Sequence, residues 1–266
     1  MEILLQLIAS GVAVGMIYAA IAFGYQLTFA TSKTLNFGQG EALALGALFG
    51  LTLVPFVGYW LMIPLVLVFG FALGAVVERL GVRPAVKIKS EYGWIMATIA
   101  LGIIFKNVAE NVWGRDDLKF PSPLPETALQ IGGVRILPME LLIVAGALLM
   151  MLAVEIFNRK SIWGKAVVAT SNDIDAAGLM GINTQKVITL SYSISAMTAA
   201  FAVAIIGGLE SGLGVIVGGL ILGVAETLTG FYISTGYKDV PGLILLLVVL
   251  SIRPVGLFGK AVIKKV

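Results

Sequence analysis

The residues of this chain best suited to binding chemistry lie in two glycine-rich stretches, 34–41 and 207–214. Glycine lets the backbone leave a helix, so that freed amide and carbonyl groups can face a ligand. Freed N–H groups bind a carboxylate, whereas carbonyls and carboxylates bind an ammonium group. Both stretches therefore have the chemistry to line the pathway of a small polar solute. The residues predicted to do so are Asn36, Gly38, Gln39, Gly40, Glu41, Gly207, Gly208, Glu210 and Ser211.

Catalytic and metal chemistry have little support in the sequence. The chain has no histidine and no cysteine, which removes imidazole bases, thiol nucleophiles and the commonest metal ligands. The phosphate-binding pattern Gly-x-x-x-x-Gly-Lys-Ser/Thr does not occur, and the pairs Gly164-Lys165 and Gly259-Lys260 are each followed by alanine. We therefore predict that the chain is not an enzyme, holds no cofactor or metal, and does not hydrolyse ATP itself.

A third polar feature, residues 171–181, is predicted to form a short helix at the membrane surface. Ser171 or Asn172 can cap its start, and Asp173 and Asp175 complement the positive end of the helix dipole. Gly181 suits the left-handed position that follows a helix.

The middle of this segment carries small residues, Ala176, Ala177 and Gly178. The two alanines give the segment a face that can enter the groove of a partner protein. An ordinary interfacial helix with good caps would show the same features, so the segment alone leaves both alternatives open.

The composition indicates what must position these residues. Hydrophobic residues make up 59% of the chain and charged residues 12%, against about 25% charged residues in soluble domains. The mean hydropathy is +1.01. Apolar runs of about 20 residues recur between short polar breaks, without the alternation of a barrel strand. We predict an all-α, polytopic transmembrane bundle with broken or re-entrant helices, forming one domain over residues 1–266.

Eight apolar spans can be placed along the chain. They are residues 3–30, 41–54, 57–77, 94–113, 139–157, 188–206, 213–232 and 240–252. Basic residues are concentrated in 79–91, in 158–186 and after 253, so these regions are predicted to be cytoplasmic. Counting back through three crossings places the N-terminus in the periplasm, and the basic tail places the C-terminus in the cytoplasm.

The second half of the chain does not satisfy this count, because three spans separate two cytoplasmic regions. An odd number of crossings cannot begin and end on the same side of a membrane. Either one span is re-entrant or a crossing is missing near residues 199–201. A continuous trace from 198 to 204, with consecutive Cα atoms about 3.8 Å apart, would exclude a missing segment.

Other features inside the spans have packing explanations. Gly11 and Gly15, like the glycines at 218, 219 and 223, supply small faces for close helix packing. Lys106 and Glu110 are four residues apart and can either pair with each other or extend to the membrane interface. Glu226 either meets a polar group on another helix or faces an aqueous cavity.

The sequence Asp175-Ala176-Ala177-x-x-x-Gly181 resembles the Glu-Ala-Ala-x-x-x-Gly coupling loop of ABC importer permeases, with Asp in place of Glu. Four further segments resemble the branched-chain amino-acid permease family. They are Leu-Asn-Phe-Gly-Gln-Gly-Glu (35–41), Glu-Arg-Leu-Gly-Val-Arg-Pro (78–84), Ala-Thr-Ile-Ala-Leu-Gly (97–102) and Arg-Pro-Val-Gly-Leu-Phe-Gly (253–259). Relatives in this family carry further residues before the Gly207-Gly208 stretch, which fits a missing segment here.

The resemblance implies a permease subunit of an ABC importer in the bacterial inner membrane. It implies a docking role for Asp173, Asp175, Ala176, Ala177, Gly178 and Gly181. Its implied partners are two cytoplasmic ATPases holding ATP and magnesium, a related second permease, a periplasmic solute-binding protein and membrane lipid. The net charge of +3 gives no indication of a nucleic-acid partner, because the basic residues flank membrane spans.

The solute implied is a branched-chain amino acid, although urea, short amides and aromatic acids are carried on the same framework. Two rivals stay open at this point. One is an ion-coupled secondary transporter of small amino acids or amides, with Glu41, Glu210 and Glu226 as coupling carboxylates. The other is a passive channel.

Overall fold

The computed structural model describes residues 2–88, 92–115, 118, 125, 127–131, 134–198, 212–237 and 240–252. Nearly all of these residues are helical, which confirms the all-α class. The helices are α1 Glu2–Ser32, α2 Gln39–Val77, α3 Arg83–Lys87, α4 Gly93–Trp113, α5 Pro138–Lys160, α6 Ile162–Asn172, α7 Ile174–Leu179, α8 Thr184–Ala196, α9 Gly212–Tyr232 and α10 Val240–Ile252.

Three shorter elements connect these helices. A π-helical turn, Glu78–Val82, joins α2 to α3, and a 3-10 turn, Thr235–Tyr237, precedes α10. Strands β1 Leu129–Ile131 and β2 Val134–Ile136 form an antiparallel hairpin with Leu129 opposite Ile136. Within the described residues, four stretches are long and apolar enough to cross a membrane. They are Ile3–Ser32, Gln39–Lys87, Gly93–Trp113 and Pro138–Lys160.

Helix α2 folds back on itself at Gly58, which has φ 74° and interrupts the helix. The rings of Phe49 and Phe69 stack with 4.2 Å between their centroids. A Cβ on Gly50 would lie 3.0 Å from the sulfur of Met62. The two halves therefore run antiparallel, and each is about 28 Å long at 1.5 Å per residue, which matches the hydrocarbon core. This confirms the separate spans predicted at 41–54 and 57–77.

The remaining spans agree with the helices to within a few residues, except the one predicted at 188–206. Helix α8 begins earlier, at Thr184, because Asn183 caps it by accepting a hydrogen bond from the Lys186 amide. Helix α8 ends at Ala196, and the proposed gap near 199–201 lies outside the described residues.

The chain divides into two compact units. The single domain predicted over residues 1–266 stays a prediction. The first comprises Met1–Gln26, Leu124–Ala153 and Ala200–Val266, and the second comprises Leu27–Pro123 and Val154–Ala199. The first has a core in which Met16 and Ala20 of α1 pack with Ala147 and Met151 of α5. The core of the second contains Ala42, Leu45, Val77, Val82, Phe105 and Tyr192.

Within the first unit, α1 and α9 touch through glycines on both helices. A Cβ on Gly15 would lie 2.6 Å from the Gly219 carbonyl oxygen, and one on Gly11 would lie 2.7 Å from the Cα of Val224. This confirms the packing role predicted for Gly11, Gly15, Gly219 and Gly223. Three residues after Gly15, Tyr18 donates a hydrogen bond of 2.7 Å to Glu226 Oε2. Glu226 therefore meets a polar group on another helix, the first of its two alternatives.

We expect Gly223→Ala to destabilise the protein, because a Cβ at this position overlaps the backbone of Gly15 and Gly11. Forcing two packed helices apart costs about 1–3 kcal/mol. Thermal unfolding of the detergent-solubilised protein measures the loss. Gly146→Ala is the matched control, because a Cβ there meets nothing within 4 Å. Equal midpoints for the two variants would contradict the close approach of α1 and α9.

Candidate functional site

The structure describes two of the three predicted functional segments, and both lie in the second unit. These are the connection between α1 and α2, residues 34–41, called the break below, and the segment 171–181. The residues predicted in the other glycine-rich stretch, Gly207, Gly208, Glu210 and Ser211, lie outside the described residues.

Lys33, between the last residue of α1 and the break, adopts a left-handed conformation with φ 55°. The path of the break is held by Gly38, which presses against α4. A Cβ on Gly38 would lie 2.7 Å from the Thr98 carbonyl oxygen and 2.9 Å from Gly102 Cα. Only glycine fits this contact without displacing α4, so the sequence at this point places the start of α2 directly on α4.

The polar groups at the centre of the break are buried and satisfied inside the protein. The Gly38 amide donates to Asn36 Oδ1 at 3.1 Å, and the Phe37 amide donates to Thr98 Oγ1 at 3.3 Å. Asn36 is buried, as is Thr34. These residues therefore stabilise the non-helical connection itself, since a buried backbone group without a partner is costly.

Gln39 is fully buried and binds the C-terminal end of α8. Its Nε2 donates to the Ser195 carbonyl at 2.6 Å and to the Thr198 carbonyl at 3.1 Å. The Ser195 hydroxyl in turn donates to Gln39 Oε1 at 3.2 Å. Of the five residues predicted to line a pathway at the break, Gly40 is exposed and Glu41 is half-buried, whereas the other three are buried.

Sequence reasoning missed the contribution of α8 to this site. Tyr192, also buried, shares a 2.6 Å hydrogen bond between its hydroxyl and Thr34 Oγ1. The available signal was the set of hydroxyls at 191, 192 and 195, close together in a predicted apolar span. A polar face on a membrane helix indicates a partner within the protein.

An ion pair between a buried carboxylate and a half-buried arginine lies where α2 ends, and the sequence did not indicate it as a cluster. Glu78 accepts hydrogen bonds from Arg83 at both carboxylate oxygens, Nε to Oε1 at 2.9 Å and Nη2 to Oε2 at 2.8 Å. Thr189 of α8 donates to Glu78 Oε2 at 2.9 Å. The sequence predicts Arg83 only as one of the basic residues in the cytoplasmic region 79–91. In the structure it pairs with the carboxylate of Glu78.

The segment 171–181 forms the end of α6 and a separate helix, α7, instead of one helix. Asp173 is extended, with φ −155°, and its Oδ1 accepts from the amides of Asp175 and Ala176 at 2.9 Å. Asp173 is therefore the N-cap, and the cap predicted at Ser171 or Asn172 is wrong because those two residues form the last turn of α6. Gly181 has φ 85°, as predicted for the position after the helix.

The surface of α7 is small and apolar. Ala176 and Gly178 are exposed, and a Cβ on Gly178 would meet nothing within 4 Å. Leu179 is 90% exposed and Met180 84% exposed. Ala177 is only 5% exposed and packs inside the chain, so Ala176 alone of the two alanines is presented. This end of the segment therefore presents a small face beside two large, exposed apolar side chains.

The described residues contain no group of three or more Asp, Glu, His or Cys side chains that could hold a metal ion. Glu110 of α4 pairs with Lys106 of the same helix, at 3.9 Å from Nζ, and with Arg115 just after the helix, at 2.9 Å from Nε.

Comparison with known proteins gives consistent matches. Residues 7–203 match the family model described as the permease component of the branched-chain amino acid transport system. The high-affinity branched-chain amino acid transport system permease protein LivH of Escherichia coli K12 is 32% identical, covering 98% of this chain and 97% of the relative. BraD, the corresponding permease protein of Pseudomonas aeruginosa, is 29% identical, covering 98% of both. No solved structure gives a significant match.

The alignment with the Escherichia coli relative extends over 310 positions, more than the 266 residues of this chain. That relative therefore carries residues with no counterpart here. The crossing count left a re-entrant span and a missing segment as alternatives, and the excess is in keeping with the second.

Proposed function

Because the chain belongs to the family of branched-chain amino acid transport permease components, we propose that it carries these amino acids across the bacterial inner membrane in an ATP-driven importer. The observation that carries the ATP-driven part is α7, a capped helix with a small, exposed apolar surface. Asp173 fixes the start of this helix and Gly181 its end. A short, capped helix of this kind suits docking into a groove of a separate ATPase.

The partners follow from this assignment. Two cytoplasmic ATPase subunits bind ATP with its magnesium ion and contact α7. A second, related permease completes the pathway, and a periplasmic binding protein delivers the solute. The basic residues near 79–91 and 158–186 favour the cytoplasmic side for these regions, with the N-terminus in the periplasm and the C-terminus in the cytoplasm.

In the proposed cycle, this chain supplies a pathway that opens alternately to each side. The solute is zwitterionic, so it needs a group for its ammonium and one for its carboxylate. Glu41, half-buried in the first turn of α2, is suited to the ammonium group. The second glycine-rich stretch, 207–214, would supply amides for the carboxylate. Closure of the ATPases biases the bundle between its two states.

Uptake by the complete importer in liposomes tests this function. We expect radiolabelled leucine to accumulate only with ATP on the ATPase side and binding protein on the other. Unlabelled isoleucine or valine should compete, whereas urea, acetamide and benzoate should not. Uptake driven by a sodium or proton gradient without ATP would instead support the ion-coupled alternative, and uptake with neither would support a channel.

A further inference from the structure

Helix α8 is joined directly to α7 at one end. The Ile182 amide donates to the Ala177 carbonyl at 3.1 Å, and Asn183 then caps α8. Only a short turn containing Gly181 separates the two helices. A displacement of α7 is therefore transmitted to α8, because the connection between the two helices is too short to absorb it.

Along its length, α8 is pressed onto the second half of α2. A Cβ on Gly74 would overlap the Tyr192 carbonyl, and one on Gly70 would lie 3.2 Å from the Ala196 carbonyl oxygen. Every residue from 191 to 196 is buried. Close-packed interiors transmit displacement because they deform little. The side chains of α8 must therefore move with its backbone.

The other end of α8 carries the hydrogen-bond partners of the break. Tyr192 bonds to Thr34 before Gly38, and Ser195 bonds to Gln39 after it. The two contacts thus hold the break on both sides of the glycine that presses against α4. This arrangement gives the buried Gln39 a role that does not require contact with the solute.

We propose that α8 transmits the movement of α7 to the break, with Thr34 and Gln39 as the positioning residues that receive it. The proposal rests on the docking role of α7 given above. When an ATPase moves α7, α8 shifts with its hydroxyl and carbonyl groups, and the break follows through these hydrogen bonds. Gly40 and Glu41, the accessible residues of the break, are then exposed to one side of the membrane or to the other.

Thr34→Val tests the proposal, because it keeps the side-chain shape and removes the hydroxyl that bonds to Tyr192. In the complete importer in liposomes, we expect ATP hydrolysis to continue while leucine transported per ATP falls by about fivefold or more. Thr34→Ser restores the hydroxyl and should restore the ratio. Thr227→Val is the matched control, since that hydroxyl donates to Gly223 O of its own helix.

Tyr192→Phe removes the other oxygen of the same hydrogen bond and decides the question if Thr34→Val is not recovered in membranes. A lowered ratio of leucine transported to ATP hydrolysed supports the proposal. A ratio equal to that of Thr227→Val overturns it, even if the rates of uptake and of ATP hydrolysis both fall.

Ala176→Arg distinguishes a failure of the transmission proposed for α8 from a failure of the docking proposed for α7. If only α8 transmission is wrong, this variant still abolishes uptake; if α7 does not dock, it leaves uptake unchanged.

Discussion

Ala176→Arg is expected to abolish ATP-driven uptake while the protein stays folded and inserted in the membrane. Ala176 is exposed on α7, so the new side chain extends into solvent in the isolated chain. In the complex, its charge would be buried between α7 and the ATPase without a partner, which costs about 3–5 kcal/mol. Affinity for the ATPase should then fall by about a hundredfold or more. Co-purification of the ATPases and leucine uptake measure the two effects.

Ala176→Ser is the matched control, because serine is also small and should preserve both docking and uptake. Ala177→Arg gives a different comparison. Ala177 is buried within the protein, so arginine there disturbs α7 before any partner binds, and protein yield should fall as well. Normal uptake by Ala176→Arg, with the ATPases still bound, would refute the docking role of α7.

The spans could be predicted closely because an apolar run in a membrane protein has one dominant explanation. The last span, 240–252, coincides with α10, and the division between the spans 41–54 and 57–77 lies next to the interruption of α2 at Gly58. The cap of α7 could not be fixed. Ser171, Asn172 and Asp173 are all good capping residues, and composition does not show which one leaves the helix.

The interactions of the candidate site were harder to predict, because they join residues far apart in the sequence. Gln39 and Ser195 are separated by 156 positions, and Thr34 and Tyr192 by 158. A sequence shows that a polar residue in a membrane needs a partner, but it does not identify that partner. The sequence predicts that Gln39 lines a solute pathway, and the structure adds that its amide bonds to Ser195 of α8 and to Thr198 just beyond this helix.

The second large effect is expected at the ion pair between Glu78 and Arg83, where Arg83→Met should strongly destabilise the protein. Glu78 is 2% exposed, and Arg83 supplies two of its hydrogen bonds. Without arginine, the carboxylate stays buried with its charge uncompensated, which costs about 3–5 kcal/mol. The apparent Tm in detergent should fall by on the order of 10 °C.

Two further variants show whether burial is the cause of that loss. Arg159→Met breaks an ion pair of 2.6 Å to Glu155 whose side chains are 78% and 44% exposed, so its cost should stay below about 1 kcal/mol. Glu78→Met combined with Arg83→Met removes both charges and should recover much of the lost stability, because an apolar pair needs no compensation. If the double variant is as unstable as Arg83→Met, the loss comes from packing around Arg83, and the uncompensated carboxylate is not its cause.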